Sequence, residues 1–160
     1  MSTFPEQDGL NGTDFPNLAH ANSGYRRTSN PTRVYNCIAW AAGETTEWWW
    51  PDLRGRWPSG APREATINAF IKAFETREYF QCTNADFERE FERVAIFALD
   101  SKPTHACYQL PSGLWTSKMG GNVDCVHALE AISGPFYGQV AVILKRKVSW
   151  KGRNHPALKF

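Results

Sequence analysis

Hydrophobic and polar positions change rhythm several times along this chain. Residues 1 to about 35 follow neither a helical nor a strand period and are rich in Gly, Asn, Pro, Ser and Thr. That pattern predicts an extended arm, with Phe4, Phe15, Leu18 and Tyr25 as isolated anchors. From Asn36 the run Cys37-Ile-Ala-Trp-Ala-Ala, closed by Gly43, predicts a short buried helix whose N-terminus lies at Cys37. Residues 44–61 form a loop carrying Trp48, Trp49, Trp50 and Trp57 between Pro51, Pro58 and Gly60. Pro62 then opens a second helix, with Ile67, Phe70, Ile71 and Phe74 on one face, fading near Glu78.

The second half reads mainly as strands. Apolar runs predict strands at 94–99, 104–110, 114–118 and 139–147, with Pro111-Ser-Gly113 as a hairpin connection. Val123, Val126, Leu129 and Ile132 fall at a spacing that predicts a short helix. Helices first and strands later predict an α+β domain, N-terminal helices packed on a C-terminal antiparallel sheet. The expected divisions are an arm over 1–35, the domain over 36–148 and a tail over 149–160.

Composition narrows the class. The chain has 160 residues, enough for one core, and its 42% hydrophobic and 21% charged content excludes wholesale disorder. Eighteen Lys and Arg against sixteen Asp and Glu leave +2, which predicts neither a nucleic-acid nor a membrane partner. Lys145-Arg-Lys147, with Lys151 and Arg153, reads as a charged strand end and solvated tail. There is no apolar stretch approaching the ~18 residues of a membrane span, and no signal-like start. A soluble, cytoplasmic protein is expected, although export without a cleaved signal leaves no mark in a sequence. Four cysteines (Cys37, Cys82, Cys107 and Cys125) without a Cys-x-x-Cys pair predict reduced thiols.

Two residues carry candidate chemistry. A nucleophilic cysteine is favoured at a helix N-terminus, where unpaired N–H groups and the macrodipole stabilise thiolate, and Cys37 has that position. Such a thiol needs an imidazole distant in sequence and close in space. Of the four histidines, His20 lies in the arm, His155 in the tail and His127 on the expected third helix. His105 opens a strand after a Pro-containing loop, where a side chain is held at a cleft edge. The simpler alternatives are a small buried hydrophobe at 37 and a satisfied core or surface histidine at 105.

The blocks Tyr35-Asn-Cys-Ile-Ala-Trp-Ala-Ala-Gly43, Trp48-Trp-Trp-Pro51, Thr104-His-Ala106 and Trp115-Thr-Ser-Lys-x-Gly120 resemble a bacterial domain family of unknown function. The layout is similar to the wider papain-like superfamily of cysteine peptidases, amidases and deamidases. The resemblance spans roughly residues 15–147 and implies a papain-like fold, Cys37 as nucleophile and His105 as general base and then acid. It implies a peptide or protein amide substrate and, at family level, an effector toxin or cell-wall enzyme with a protein inhibitor or delivery partner. No cofactor is implied.

The third member of the site depends on register. With a three-residue loop at 111–113, Cys107 faces Ser117, and Ser117 shares the face of His105. A two-residue turn would bring Lys118 there instead. Ser117 is the candidate orienting residue, with Asp124 the nearest later carboxylate. Papain carries a Gln six residues before its cysteine, and Pro31 stands at that place here. Asn36 and the N–H of Cys37 are candidate oxyanion donors, and Trp50 and Lys118 candidate substrate contacts.

Other readings remain. His105-x-Cys107 and Cys125-x-His127 supply two Cys and two His, but the single-residue spacing is unlike a usual zinc site, and no metal is expected. The four-tryptophan loop could wall a substrate groove, bind a protein in a non-catalytic module, or close the underside of a small core.

Overall fold

The computed structural model describes residues 5–159. The expected anchor Phe4 lies outside them. Seven strands form one antiparallel sheet: β1 (Arg26–Arg27), β2 (Phe80–Cys82), β3 (Phe91–Leu99), β4 (Lys102–Gln109), β5 (Trp115–Lys118), β6 (Asp124–His127) and β7 (Gln139–Lys147). Their order across the sheet is β1-β6-β5-β4-β3-β7-β2. The α-helices are short, α1 (Cys37–Ala41) and α2 (Ile67–Glu75).

The α+β, papain-like expectation is thereby overturned: the fold is mostly antiparallel sheet and is closer to all-β. Three local causes account for the difference. Residues 123–132, whose three-residue spacing suggested a helix, instead form β6 and a single 3-10 turn at Leu129–Ile132. The second helix starts at Ile67 rather than Pro62, because Thr66 caps it by accepting from the Ala69 N–H at 3.1 Å. The arm and the segment after α2 add β1 and β2 to opposite edges of the sheet.

β3 carries the continuous apolar run Val94-Ala-Ile-Phe97, the pattern of a strand buried on both faces. Val94, Ile96, Ala106, Tyr108 and Leu144 pack beneath α1, α2, Trp49 and Trp57. Ala95, Phe97, Cys107, Trp115 and Cys125 pack beneath Leu10, Phe15, Leu18, Ile132 and Tyr137. The arm thus covers one face and the helices the other. The turn into β7 depends on Gly138, where φ is +77° and an added Cβ would sit 2.0 Å from the Ala98 carbonyl oxygen.

The segment after β7 returns to the helix face, although Trp150 stays 91% exposed. His155 Nε2 donates to the Trp40 carbonyl at 2.6 Å, and the ring stacks on Tyr108 with centroids 4.0 Å apart. Burial pushes the pKa of His127 and of His155 down to about 4. Between about 6.5 and 4 the unfolded chain binds protons that these folded imidazoles refuse, so stability is full above that window and falls as pH drops through it. Each histidine removes up to ~1.4 kcal/mol per pH unit. Denaturant unfolding from pH 7.5 to 4 is expected to show this loss, shallower by one proton in His155→Phe. Identical pH slopes in parent and variant would refute it.

Candidate functional site

Asn36 organises the site. Its Oδ1 accepts from the Ala39 N–H at 3.2 Å, capping α1, and from the Trp49 N–H at 3.0 Å. Its Nδ2 donates to the Trp49 carbonyl at 2.7 Å. One buried side chain therefore starts the helix at Cys37 and fixes the tryptophan loop above it. The amide suggested as an oxyanion donor commits one of its two N–H donors to the Trp49 carbonyl.

The loop closes on itself through a bridge between Trp49 and Arg56. A Cβ on Gly55 would meet the Trp50 carbonyl oxygen at 2.6 Å, so only glycine fits there. Trp49 is buried beneath the Arg77 guanidinium, 5.1 Å from its ring centroid, and Trp57 donates from Nε1 to the Pro62 carbonyl at 2.8 Å. Two of the four rings thus close the core. Trp48, 37% exposed, and half-buried Trp50 instead wall a cleft of about 360 Å³. Its remaining lining includes Asn36, Cys37, Thr104, Gly120, Phe136 and Tyr137. Trp50 is held edge-on to Phe70, with centroids 5.4 Å apart.

The Cys37 side chain reaches this cleft from the first position of α1 while remaining 5% exposed. Burial pushes its thiol up to about 11. The backbone N–H groups of Ala106, Ile38 and Cys37 oppose that rise, as does the Lys118 cation. The resting thiol is therefore protonated at neutral pH. Ala106, whose N–H faces the sulfur, is the residue after His105.

His105 is fully buried on β4. Its Nε2 lies 2.8 Å from Ser117 Oγ, while Nδ1 is buried without a partner among the described residues. No hydrogen bond joins it to Cys37, which packs with the helix layer, whereas the His105 ring projects to the arm face. The ring stacks on Tyr137 at 4.0 Å between centroids and meets Phe97 edge-on. Burial first, and then the neighbouring His127, hold its pKa well below the usual imidazole value.

Register divides the next strand. β4 pairs with β5 at Tyr108–Thr116 and Gln109–Trp115, around the three-residue loop 111–113. Ser117 therefore points to the face of His105, and Lys118 to the helix face. Lys118 Nζ donates to the carbonyls of Thr32, at 2.7 Å, and Gly120, and lies 5.2 Å from the Tyr35 ring centroid. Asp124 accepts from Ser29 Oγ at 2.6 Å and Tyr35 Oη at 2.8 Å, away from His105.

Two residues at this site escaped sequence reasoning. His127 Nε2 lies 2.7 Å from Ser117 Oγ, and its Nδ1 lies 2.7 Å from the Ala128 carbonyl. Reading 123–127 as a strand would have paired Ser117 with Cys125 and brought His127 to the same face. Tyr137, which both lines the cleft and covers His105, left no signal beyond an aromatic pair at 136–137. Among the described residues no three His, Cys, Asp or Glu side chains converge as metal ligands.

The elevated thiol sets an expected pH profile. Iodoacetamide alkylation of Cys37, followed by peptide mass spectrometry, should keep rising with pH toward about 11. In Lys118→Met the profile should move to higher pH, since a cation that favours thiolate is lost. A plateau below pH 8, or no displacement in the variant, would contradict this electrostatic description.

No curated protein and no solved structure matches the chain. Among the described residues no helix is long and apolar enough to cross a membrane. The family model described as Domain of unknown function (DUF7689) matches residues 26–145, a span that runs from β1 into β7 and includes Cys37, His105, Ser117 and His127. The chain belongs to that DUF7689 family.

Proposed function

We propose that the cleft is the active site of a thiol-dependent hydrolase of amide bonds in a peptide or protein, with Cys37 as nucleophile and His105 as its base. The observation that carries the reading is the state of His105. Its Nε2 is pinned by Ser117 while Nδ1 is left bare in a dry site. An unpartnered buried nitrogen costs about 1–3 kcal/mol and calls for an explanation. A proton acceptor on the strand whose Ala106 N–H faces Sγ provides one, and for it to serve Cys37 the proton must cross from the helix layer to the arm face on which the His105 ring lies.

In this reading the substrate amide enters beside Trp48, Trp50 and Phe136, which pack against its flanking groups. Sγ attacks the carbonyl carbon as the thiol proton passes to His105 Nδ1, and the Cys37 backbone N–H donates to the oxyanion. The C–N bond breaks, and His105 returns the proton to the departing amine. Water then attacks the thioester, giving its proton to Nδ1. The C–S bond breaks, and that proton restores the thiol. The balance is amide plus water to acid plus amine, with no other reactant. The thiol and imidazole start neutral, so proton transfer accompanies attack.

A non-catalytic module using the same aromatic cleft is the second reading. The missing Cys37–His105 hydrogen bond and the exposure of Trp48 and Phe136 favour it. Alkylation of Cys37 by iodoacetamide at pH 7 separates the two. Base assistance predicts a rate at least tenfold lower in His105→Ala, with Ser117→Ala intermediate and circular dichroism unchanged. Equal rates in the folded parent and His105→Ala would sink the hydrolase reading and leave the binding module.

A further inference from the structure

We propose that His127 is a positioning residue: acting through Ser117, it fixes His105 as the Nε2–H tautomer and keeps the Nδ1 lone pair free. The catalytic consequence rests on the hydrolase reading above, whereas the tautomer assignment stands on hydrogen-bond geometry alone.

The direction of the chain follows from its last member. A backbone carbonyl only accepts, so His127 Nδ1, 2.7 Å from the Ala128 carbonyl, carries a hydrogen. In a neutral ring Nε2 is then an acceptor, and the Ser117 hydroxyl 2.7 Å away donates to it. With its hydrogen so directed, Ser117 Oγ offers a lone pair to His105 Nε2 at 2.8 Å, which therefore carries the hydrogen on that ring. Nδ1 of His105 is left as a bare base. All three side chains are fully buried, so no solvent competes for these hydrogens.

Two observations support a neutral relay. Burial holds His127 down to about 4, so at neutral pH it has one ring hydrogen, and the carbonyl claims it. The other polar group beside Ser117 is the Cys107 thiol, which burial keeps protonated and which is a weak competitor. Were His127 cationic, both its nitrogens would donate. The Ser117 hydroxyl would then be free to turn toward His105, and the free lone pair would be lost.

Two-bond ¹H–¹⁵N correlation of the full chain labelled with ¹⁵N-histidine reads the tautomers directly, with signals assigned through the single histidine variants. In the parent at pH 7, His105 is expected as Nε2–H and His127 as Nδ1–H. His127→Phe removes the acceptor, and His105 should shift to a mixture of tautomers, with a several-fold loss in His105-dependent alkylation at pH 7. His127→Gln, whose Oε1 can accept from Ser117, should restore the parent tautomer. An Nδ1–H His105 in the parent would overturn the proposal without any variant. So would an unchanged His105 signal in folded His127→Phe. The expected tautomers combined with alkylation indifferent to His105 would instead leave the relay intact and remove the hydrolase reading.

Discussion

Burial of β4 and β5 on both faces is the constraint on which the site depends. From His105 to Gln109, and from Trp115 to Lys118, every residue is shielded by the helix layer on one side or the arm on the other. Polar side chains placed there must find partners inside the protein. Most do: Trp40 Nε1 donates to Thr116, Tyr108 donates to Glu92, Gln109 Nε2 donates to the Ala85 carbonyl and Ser117 bridges two histidines. The exceptions on these strands are Nδ1 of His105 and Oε1 of Gln109, both buried without a partner among the described residues. The His105 ring lies on the arm face of the sheet, opposite the layer that holds the cysteine-bearing helix.

The alternation of β5 separates two kinds of control. Ser117 and Lys118 are adjacent in sequence but face opposite layers. The serine is a neutral link in the imidazole chain, and the lysine is a cation on the side of Cys37. A one-residue slip would exchange them, putting a cation against His105 and depriving the thiol of a charge that favours its ionised form. The three-residue hairpin prevents that slip. The Leu110 N–H donates to the Leu114 carbonyl at 2.7 Å, and Gly113 takes φ of +91°.

Much of this was legible because local signals and burial agreed. The helix start at Cys37 has its cap residue and small apolar run in sequence, and the hairpin has its Pro-Ser-Gly turn. The apolar face of α2 was visible in its periodicity. What failed to read was short or non-local. β6 is only four residues long, and its apolar positions join those of the following 3-10 turn to imitate a helical period. The fold class failed with it, since one helix fewer and three strands more change the balance of the domain. The arm was legible in part: Phe15 and Leu18 were expected as anchors and are buried, whereas Leu10 and the two-residue strand β1 carry no periodic signal. His127 was missed for the same reason as β6.

A dry site and an ionised nucleophile pull against each other. Shielding that fixes the hydrogens of Ser117 and His127 also disfavours both thiolate and imidazolium, so a resting ion pair would be paid for by desolvation on two sides. The structure resolves the conflict in favour of neutrality: the thiol is raised and both imidazoles are lowered, against the pull toward charge of the Lys118 cation and three backbone N–H groups at Cys37 and of the Ala128 carbonyl at His127. In the proposed hydrolase such a neutral pair would become reactive only when a carbonyl lies close enough to Sγ that bond formation and proton transfer proceed together. The aromatic walls are where such an electrophile would gain the binding energy needed to reach that position, which ties reactivity to recognition by the tryptophan loop.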